Sequence, residues 1–341
     1  MLSFHLELLD KIFLKNVNQF VVYKDYAFVY GDYGQAHEIH ILSLEIPEKL
    51  THVQSISFQK EIVKVEIKDD TLYVIENERA LHIFDLSNVS DPKRVDSFVL
   101  LGCDIYDMKL IGENAILAMN WEGIGLVDLN LPDQIQPVQK LKIENKCVEC
   151  FVPFGDRIFT ISNLKNDPFL YEVSIINGYL EIKNKKELSD FNPSNVFCGA
   201  SEIILYGEFK KGKNNRSGIM LLDYNLQPLG EPIRLERSPI ICFQLSDGNF
   251  LFGFDYSYVL LDKTQRVIAP LFAQFKQRSS NEYVEVVSNS DSGLEPRDTS
   301  KLVSMDSLQN AHRLGDFLFA LHGNHFISFE ILENSLFRNI I

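Results

Sequence analysis

Two short apolar motifs recur along the chain at one spacing, and this periodicity limits the possible folds more than any other feature. The first is an apolar run closed by a polar residue. It reads Ala27-Phe-Val-Tyr-Gly-Asp32, Leu72-Tyr-Val-Ile-Glu-Asn77, Ala115-Ile-Leu-Ala-Met-Asn120 and Ile158-Phe-Thr-Ile-Ser-Asn163. It returns as Ile203-Ile-Leu-Tyr-Gly-Glu208, Phe250-Leu-Phe-Gly-Phe-Asp255 and Phe317-Leu-Phe-Ala-Leu-His322. The closing residues stand 45, 43, 43, 45, 47 and 67 positions apart. The second motif follows a few residues later, ending at Ser43, Asp85, Asp128, Ser174, Asp223, Asp262 and Glu330, with steps of 42, 43, 46, 49, 39 and 68. Both registers share a period in the forties and stretch only at the last step.

Several short β runs in a period of about 40–50 residues are the signature of a four-stranded propeller blade. The second repeat shows its parts in full. Val63–Lys68 reads as the inner strand, Leu72–Ile75 and Leu81–Leu86 as the middle pair, and Arg94–Leu100 as the outer strand. The middle runs are denser in apolar residues than one buried face requires, as expected of a sheet covered on both sides. Capped helical periodicity is missing. The expectation is an all-β chain forming one domain over residues 1–341, a seven-bladed β-propeller of four-stranded antiparallel blades, with six or eight the neighbouring counts.

Leu81-His-Ile-Phe-Asp85-Leu-Ser87-Asn-Val-Ser-Asp91-Pro92 resembles the LVIVD-type β-propeller repeat, of WD40-like architecture. Ile124-Gly-Leu-Val-Asp128-Leu-Asn130-Leu-Pro132 and Ile41–Pro47 are weaker matches, and later units keep only the apolar run and an acid. The resemblance implies a propeller and no single activity. The long last step falls on polar Arg278–Ser300, which reads as an inserted loop or hairpin. Residues 2–17 precede the first inner strand and are expected to pair with the last blade, closing the ring and covering its open edge.

The residue closing each second strand falls, in such a blade, on one rim. The candidate partner- or ligand-binding ring is Asp32, Asn77, Asn120, Asn163, Glu208, Asp255 and His322, although Asn and Asp also end strands because they cap turns. Trp121, the only tryptophan, lies in the same kind of loop, with Tyr33 and Tyr256 at matching points. Such rings supply large, rigid contact area at interfaces. Lys210 opens a basic tract with Lys211, Lys213 and Arg216.

His37, His322 and His325 form a speculative imidazole set, but no diagnostic metal motif accompanies them, and neither metal nor cofactor is expected. Cys147-Val-Glu-Cys150 on a strand would point its thiols to opposite faces, so it reads as packing, as do Cys103, Cys198 and Cys242. The acids ending the third strands, Asp85, Asp128, Asp223 and Asp262, read as turn caps. Nucleophile-elbow, phosphate-loop, zincin and dinucleotide motifs are missing from their proper contexts.

A surplus of 47 Asp+Glu over 33 Lys+Arg, net −14, argues against a phosphate-backbone binder and for a basic protein partner. No apolar run reaches the roughly 20 residues of a membrane span. Met1–Asp10 lacks a basic leader, and five cysteines suit reduced thiols, so a cytoplasmic monomer is expected. The leading reading is a non-catalytic binding or scaffold module that meets a protein partner through the loops between second and third strands. The alternative is a hydrolase or lyase with carboxylate and imidazole groups in the axial funnel.

Overall fold

In the computed structural model, the described residues are 3–31, 37–77, 79–100, 104–119, 121–130, 139–143, 151–162, 168–210, 217–235, 241–244, 250–254, 257–262, 267–277, 283–286, 308–314, 317–322 and 324–331. Among them every regular element is a β-strand. No described helix is long and apolar enough to cross a membrane. The chain divides into two units, Met1–Ser57 with Pro239–Ile341, and Phe58–Ser238.

The first unit opens with β1 (Ser3–Phe13) and a four-stranded antiparallel sheet of β2 (Gln19–Tyr23), β3 (Tyr26–Tyr30), β4 (Glu38–Ser43) and β5 (Thr51–Ser57). The second unit holds four sheets of the same design. They are β6 (Ile62–Lys68), β7 (Thr71–Glu76), β8 (Ala80–Asp85) and β9 (Lys93–Val99); then β10 (Asp107–Ile111), β11 (Asn114–Ala118), β12 (Ile124–Asp128) and β13 (Gln139–Leu141). Next come β14 (Phe151–Phe154), β15 (Arg157–Ser162), β16 (Phe169–Ile176) and β17 (Tyr179–Glu187). The last is β18 (Phe191–Cys198), β19 (Ile203–Phe209), β20 (Ser217–Leu222) and β21 (Ile233–Leu235).

Tight turns join the strands. Asn177-Gly178, both at positive φ, makes the two-residue turn between β16 and β17, the Asn-Gly chemistry that matches strand twist. Second strands are heavily buried and outer strands are not. Every residue of β11 and β15 after the first is buried, whereas β9 and β17 are largely exposed. Alternation along β11 explains why. Ala115 and Leu117 pack with Val63, Ile75 and Leu81 of the preceding sheet, while Ile116 and Ala118 pack with Ile158, Tyr171 and Val173 of the following one. Phe159, Ile161 and Leu170 then join Leu205 and Leu222 of the next sheet. One strand thus serves two cores, by the period-two geometry of its side chains.

Charges tie the first strands together as well. Lys64 reaches Asp107 at 2.9 Å, Lys109 pairs with Glu66, and Lys68 reaches Glu113 at 2.9 Å. Each pair spans about one repeat length.

The remaining strands of the first unit are β22 (Ile241–Gln244), β23 (Phe250–Phe254), β24 (Ser257–Asp262), β25 (Val267–Gln277), β26 (Tyr283–Val286), β27 (Leu308–Leu314), β28 (Phe317–His322) and β29 (His325–Ile331). They form one nine-stranded sheet, ordered β22-β23-β24-β25-β1-β29-β28-β27 with β26 on β25. β1 pairs antiparallel with β29, from Leu6↔Ile331 to Phe13↔His325. On its other edge Ser3–Leu8 pair in parallel with Phe272–Gln277, while the start of β25 stays on β24. β26 lies within the sequence insertion at 278–300, and residues 278–282 and 287–300 are outside the described set. Phe326 is buried in the cluster of Leu14, Val17, Phe20, Phe319 and Leu321, edge-on to Phe20 at 5.1 Å.

Truncating Phe326 to Ala is expected to cost about 3–5 kcal/mol, measured by urea unfolding. A loss below about 1 kcal/mol would contradict the packing described for this cluster.

Candidate partner-binding face

The turns between second and third strands carry the candidate residues, and in the second unit the described residues include the strand ends at three of these turns. In the first, Asn77 is exposed and left-handed at φ 50°, with its N–H donating to the Glu61 carbonyl at 2.8 Å. Asparagine tolerates that conformation better than most residues. Arg79 continues the turn, and its guanidinium reaches Asp104 at 2.7 Å, just ahead of β10.

In the second turn, Met119 N–H donates to the Gly123 carbonyl at 2.8 Å, and Glu122 N–H to the Met119 carbonyl at 2.9 Å. Gly123 sits at φ 86°, and a Cβ there would meet the Leu141 carbonyl oxygen at 2.2 Å, so only glycine fits. Trp121 stands at the tip, 54% exposed. Ile75 and Leu81 flank the Asn77 turn and share one core cluster with Met119, which places both turns at the same edge of adjacent sheets.

In the third turn, Glu208 is exposed opposite Ser217. Lys210 follows, its N–H donating to the Asp190 carbonyl at 3.0 Å. Beneath them Phe209 is buried, with the Arg234 guanidinium 4.5 Å from its ring centre. His322 is the last residue of β28 and pairs with His325. Asp32, Tyr33, Asn120, Asn163, Asp255 and Tyr256 lie outside the described residues, as do Cys103, Cys147, Cys150 and the tract 211–216.

A buried polar chain underlies the Asn77 turn. His82 is 5% exposed and Glu76 8%, and His82 Nε2 lies 2.7 Å from Glu76 Oε2. Ser97 Oγ meets the other ring nitrogen at 2.8 Å, and Glu76 Oε1 accepts the Lys60 N–H at 2.6 Å. Burial pushes the Glu76 carboxyl up, but hydrogen bonds from Lys60 N–H, His82 and Gln59 N–H outweigh it and hold the group below the ordinary carboxylate value. Sequence reading missed Glu76 and Ser97. The available signal was a glutamate and a histidine at apolar-run positions, where a lone polar group would be costly.

The opposite ends of the strands are closed by internal contacts. Asp85 accepts the Ser87 N–H at 2.8 Å and its hydroxyl at 2.9 Å; Asp128 accepts the Asn130 N–H at 2.8 Å; Asp223 accepts the Asn225 N–H at 2.9 Å and the Gln227 N–H at 2.7 Å. These are the turn caps expected from the repeat. At the same end Arg157 binds Glu172 at 2.8 Å and lies over the rings of Phe159 and Tyr224. Burial pushes the neighbouring Cys198 thiol up to about 12, so it remains protonated at neutral pH. Among the described residues, no group of three or more His, Cys, Asp or Glu is placed to hold a metal ion. His37 is exposed, and His325 packs edge-on to Phe13 at 5.4 Å.

No protein-family model matches the chain, and no curated protein matches it. Solved structures do. A chain of the S. cerevisiae assembly of Dbp5 bound to Nup159, Gle1, IP6 and ADP aligns over 98% of this chain and 96% of its own, with TM-score 0.60 and 11% identity. The N-terminal domain of Nup159 aligns over 98% and 97%, with TM-score 0.59 and 11% identity. The Neurospora crassa Pan2 WD40 domain aligns over 95% of each chain, with TM-score 0.63 and 9% identity. The chain therefore has a fold like that of WD40 and other β-propeller domains.

Replacing His82 with Ala is expected to cost about 1–3 kcal/mol, because Glu76 loses a partner in a buried place. Since the folded Glu76 carboxyl is depressed, its stabilisation is full above the ordinary carboxylate value and fades as pH falls through the lowered one. Urea midpoints measured from neutral pH down through the carboxylate range should therefore fall less steeply for Glu76→Gln than for wild type. Equal slopes would contradict an ionised Glu76 in this network.

Proposed function

We propose that the chain is a seven-bladed β-propeller acting as a non-catalytic binding or scaffold module for a protein partner. In this reading the five four-stranded sheets are blades, and the nine-stranded sheet supplies two more, β22–β25 and β27–β29 with β1. β1 then closes the ring as the outermost strand of the last blade, in a single domain of residues 1–341. The capped acids Asp85 and Asp128 fit an LVIVD-type repeat. The partner face consists of the turns between second and third strands, with Asp32, Tyr33, Asn77, Asn120, Trp121, Asn163, Glu208, Lys210, Asp255, Tyr256 and His322 as its residues.

The observation that carries this reading is Trp121. A large ring over half exposed is held on a turn fixed by two backbone hydrogen bonds and an obligatory glycine, above a packed core. Such an anchor loses little entropy on binding, which is how interface hot spots gain their strength. The net charge of −14 favours a basic partner by steering and disfavours nucleic acid. The module is proposed to be monomeric and cytoplasmic, with no membrane contact and no cofactor.

The test is affinity capture at native expression levels, comparing wild type with Trp121→Ala and Tyr256→Ala and quantifying partners by mass spectrometry. A specific partner should be lost with Trp121→Ala, which corresponds to at least about 2 kcal/mol at a hot spot. Partners retained at full level by both folded variants would place binding elsewhere.

A further inference from the structure

We propose that His40 and His52, which converge on the Ser55 hydroxyl, form a surface site for one late first-row divalent cation such as Cu²⁺ or Zn²⁺. His40 Nδ1 lies 2.9 Å from Ser55 Oγ and His52 Nε2 lies 3.0 Å from the same atom. The two rings are 5.6 Å apart at 61°. A hydroxyl has one proton, so Ser55 donates to one ring nitrogen and accepts the N–H of the other. Two imidazole nitrogens are thus aimed at one point, and imidazole is a preferred ligand of these cations.

The convergence depends on a backbone irregularity. His40 pairs with Ser55 and Ile41 with Gln54, but Leu42 pairs with His52, so Val53 is an extra residue. In a regular ladder Val53 would share the face of His40, and His52 would point away. The bulge moves His52 onto that face.

The next repeat provides an internal comparison. His82 pairs with Ser97, Ile83 with Asp96 and Phe84 with Arg94, so the bulge recurs at the same place. There the position of His52 belongs to Arg94, which cannot ligate a cation. His82 is also buried, with both ring nitrogens engaged by Ser97 and Glu76. In the first sheet His40 is half-buried and His52 exposed, so solvent reaches the pair and can complete the coordination. Burial, the largest influence, holds the His40 imidazole below its ordinary value, opposed by the Glu38 carboxylate and helped by His52. A neutral ring is the ligating form. Glu38, held by Ser57 Oγ at 3.3 Å, adds negative charge on the same face.

Binding needs no proton to leave. One imidazole shifts its N–H to the outer nitrogen, both inner lone pairs face the cation at about 2.0–2.1 Å, and the Ser55 side chain turns aside or remains as a weak oxygen donor. With two protein nitrogens the site falls short of a closed structural centre. It would pin β4 to β5 across the bulge.

The full chain, made without a polyhistidine tag, is titrated calorimetrically with CuCl₂ and with ZnCl₂ at pH 7.5 and pH 5.5. One saturable equivalent is expected, tighter for copper than zinc, and weaker at pH 5.5, where protons compete with the cation for its nitrogen ligands. His52→Ala, an exposed position that leaves the fold intact by circular dichroism, should weaken binding about tenfold or more, while His37→Ala and His325→Ala should not change it. Absence of a saturable equivalent, or His52→Ala binding as wild type, would overturn the site.

Discussion

The second strands β11 and β15 divide their side chains between two hydrophobic cores, and the packing of adjacent sheets depends on this. On β11, Ala115 and Leu117 belong to the core shared with the preceding sheet, and Ile116 and Ala118 to the core shared with the following one. A strand in that position is mostly apolar, with its charged residue kept to the end, as Arg157 is on β15. The turns there are free to vary in chemistry while their bases are fixed by packing. Asn77, Trp121 and Glu208 all occupy such ends, beside the hydrophobic clusters of their sheets.

The polar groups that remain inside follow the same economy. Glu76 and His82 are buried only because each satisfies the other, with Ser97 and the Lys60 N–H taking up the remaining bonding capacity. The equivalent His40 and Ser55 sit in an otherwise similar frame but meet a second imidazole rather than a carboxylate. One geometric template thus gives a structural network in one sheet and an open, ligand-like arrangement in another. The turn-capping aspartates show the opposite behaviour, performing the same backbone task at Asp85, Asp128 and Asp223. Recurrence marks structure, and departure from recurrence marks the places where function is to be sought.

The five four-stranded sheets were legible in the sequence because apolar runs repeated at one period in two registers, and the expected strands of the second repeat fall within a residue or two of β6–β9, whereas the joining of the last strands and β1 into one nine-stranded sheet was not. The capping acids were legible for the same reason. The parallel pairing of β1 with the end of β25 was not, since nothing in Ser3–Leu8 or Phe272–Gln277 distinguishes a parallel neighbour from an antiparallel one. The bulges after His40 and His82 were equally hidden. One extra residue in a run of alternating polarity leaves no mark unless the facing strand is known, and so His52 was not recognised as a neighbour of His40. Of the proposed rim, Asn77, Trp121, Glu208 and Lys210 can be traced to their turns, because strand ends follow directly from the apolar runs. What such a rim binds depends on side chains drawn from separate turns, and their arrangement is not encoded in any local stretch.

The shared core between adjacent sheets is tested most directly by a double-mutant cycle joining Leu81→Ala on β8 with Met108→Ala on β10, read by urea unfolding. Packing in one cluster predicts a coupling of about 0.5–3 kcal/mol between the two substitutions. Strict additivity, within about 0.3 kcal/mol, would mean that the two sheets do not share a core and that the turns above them are not held at a common edge.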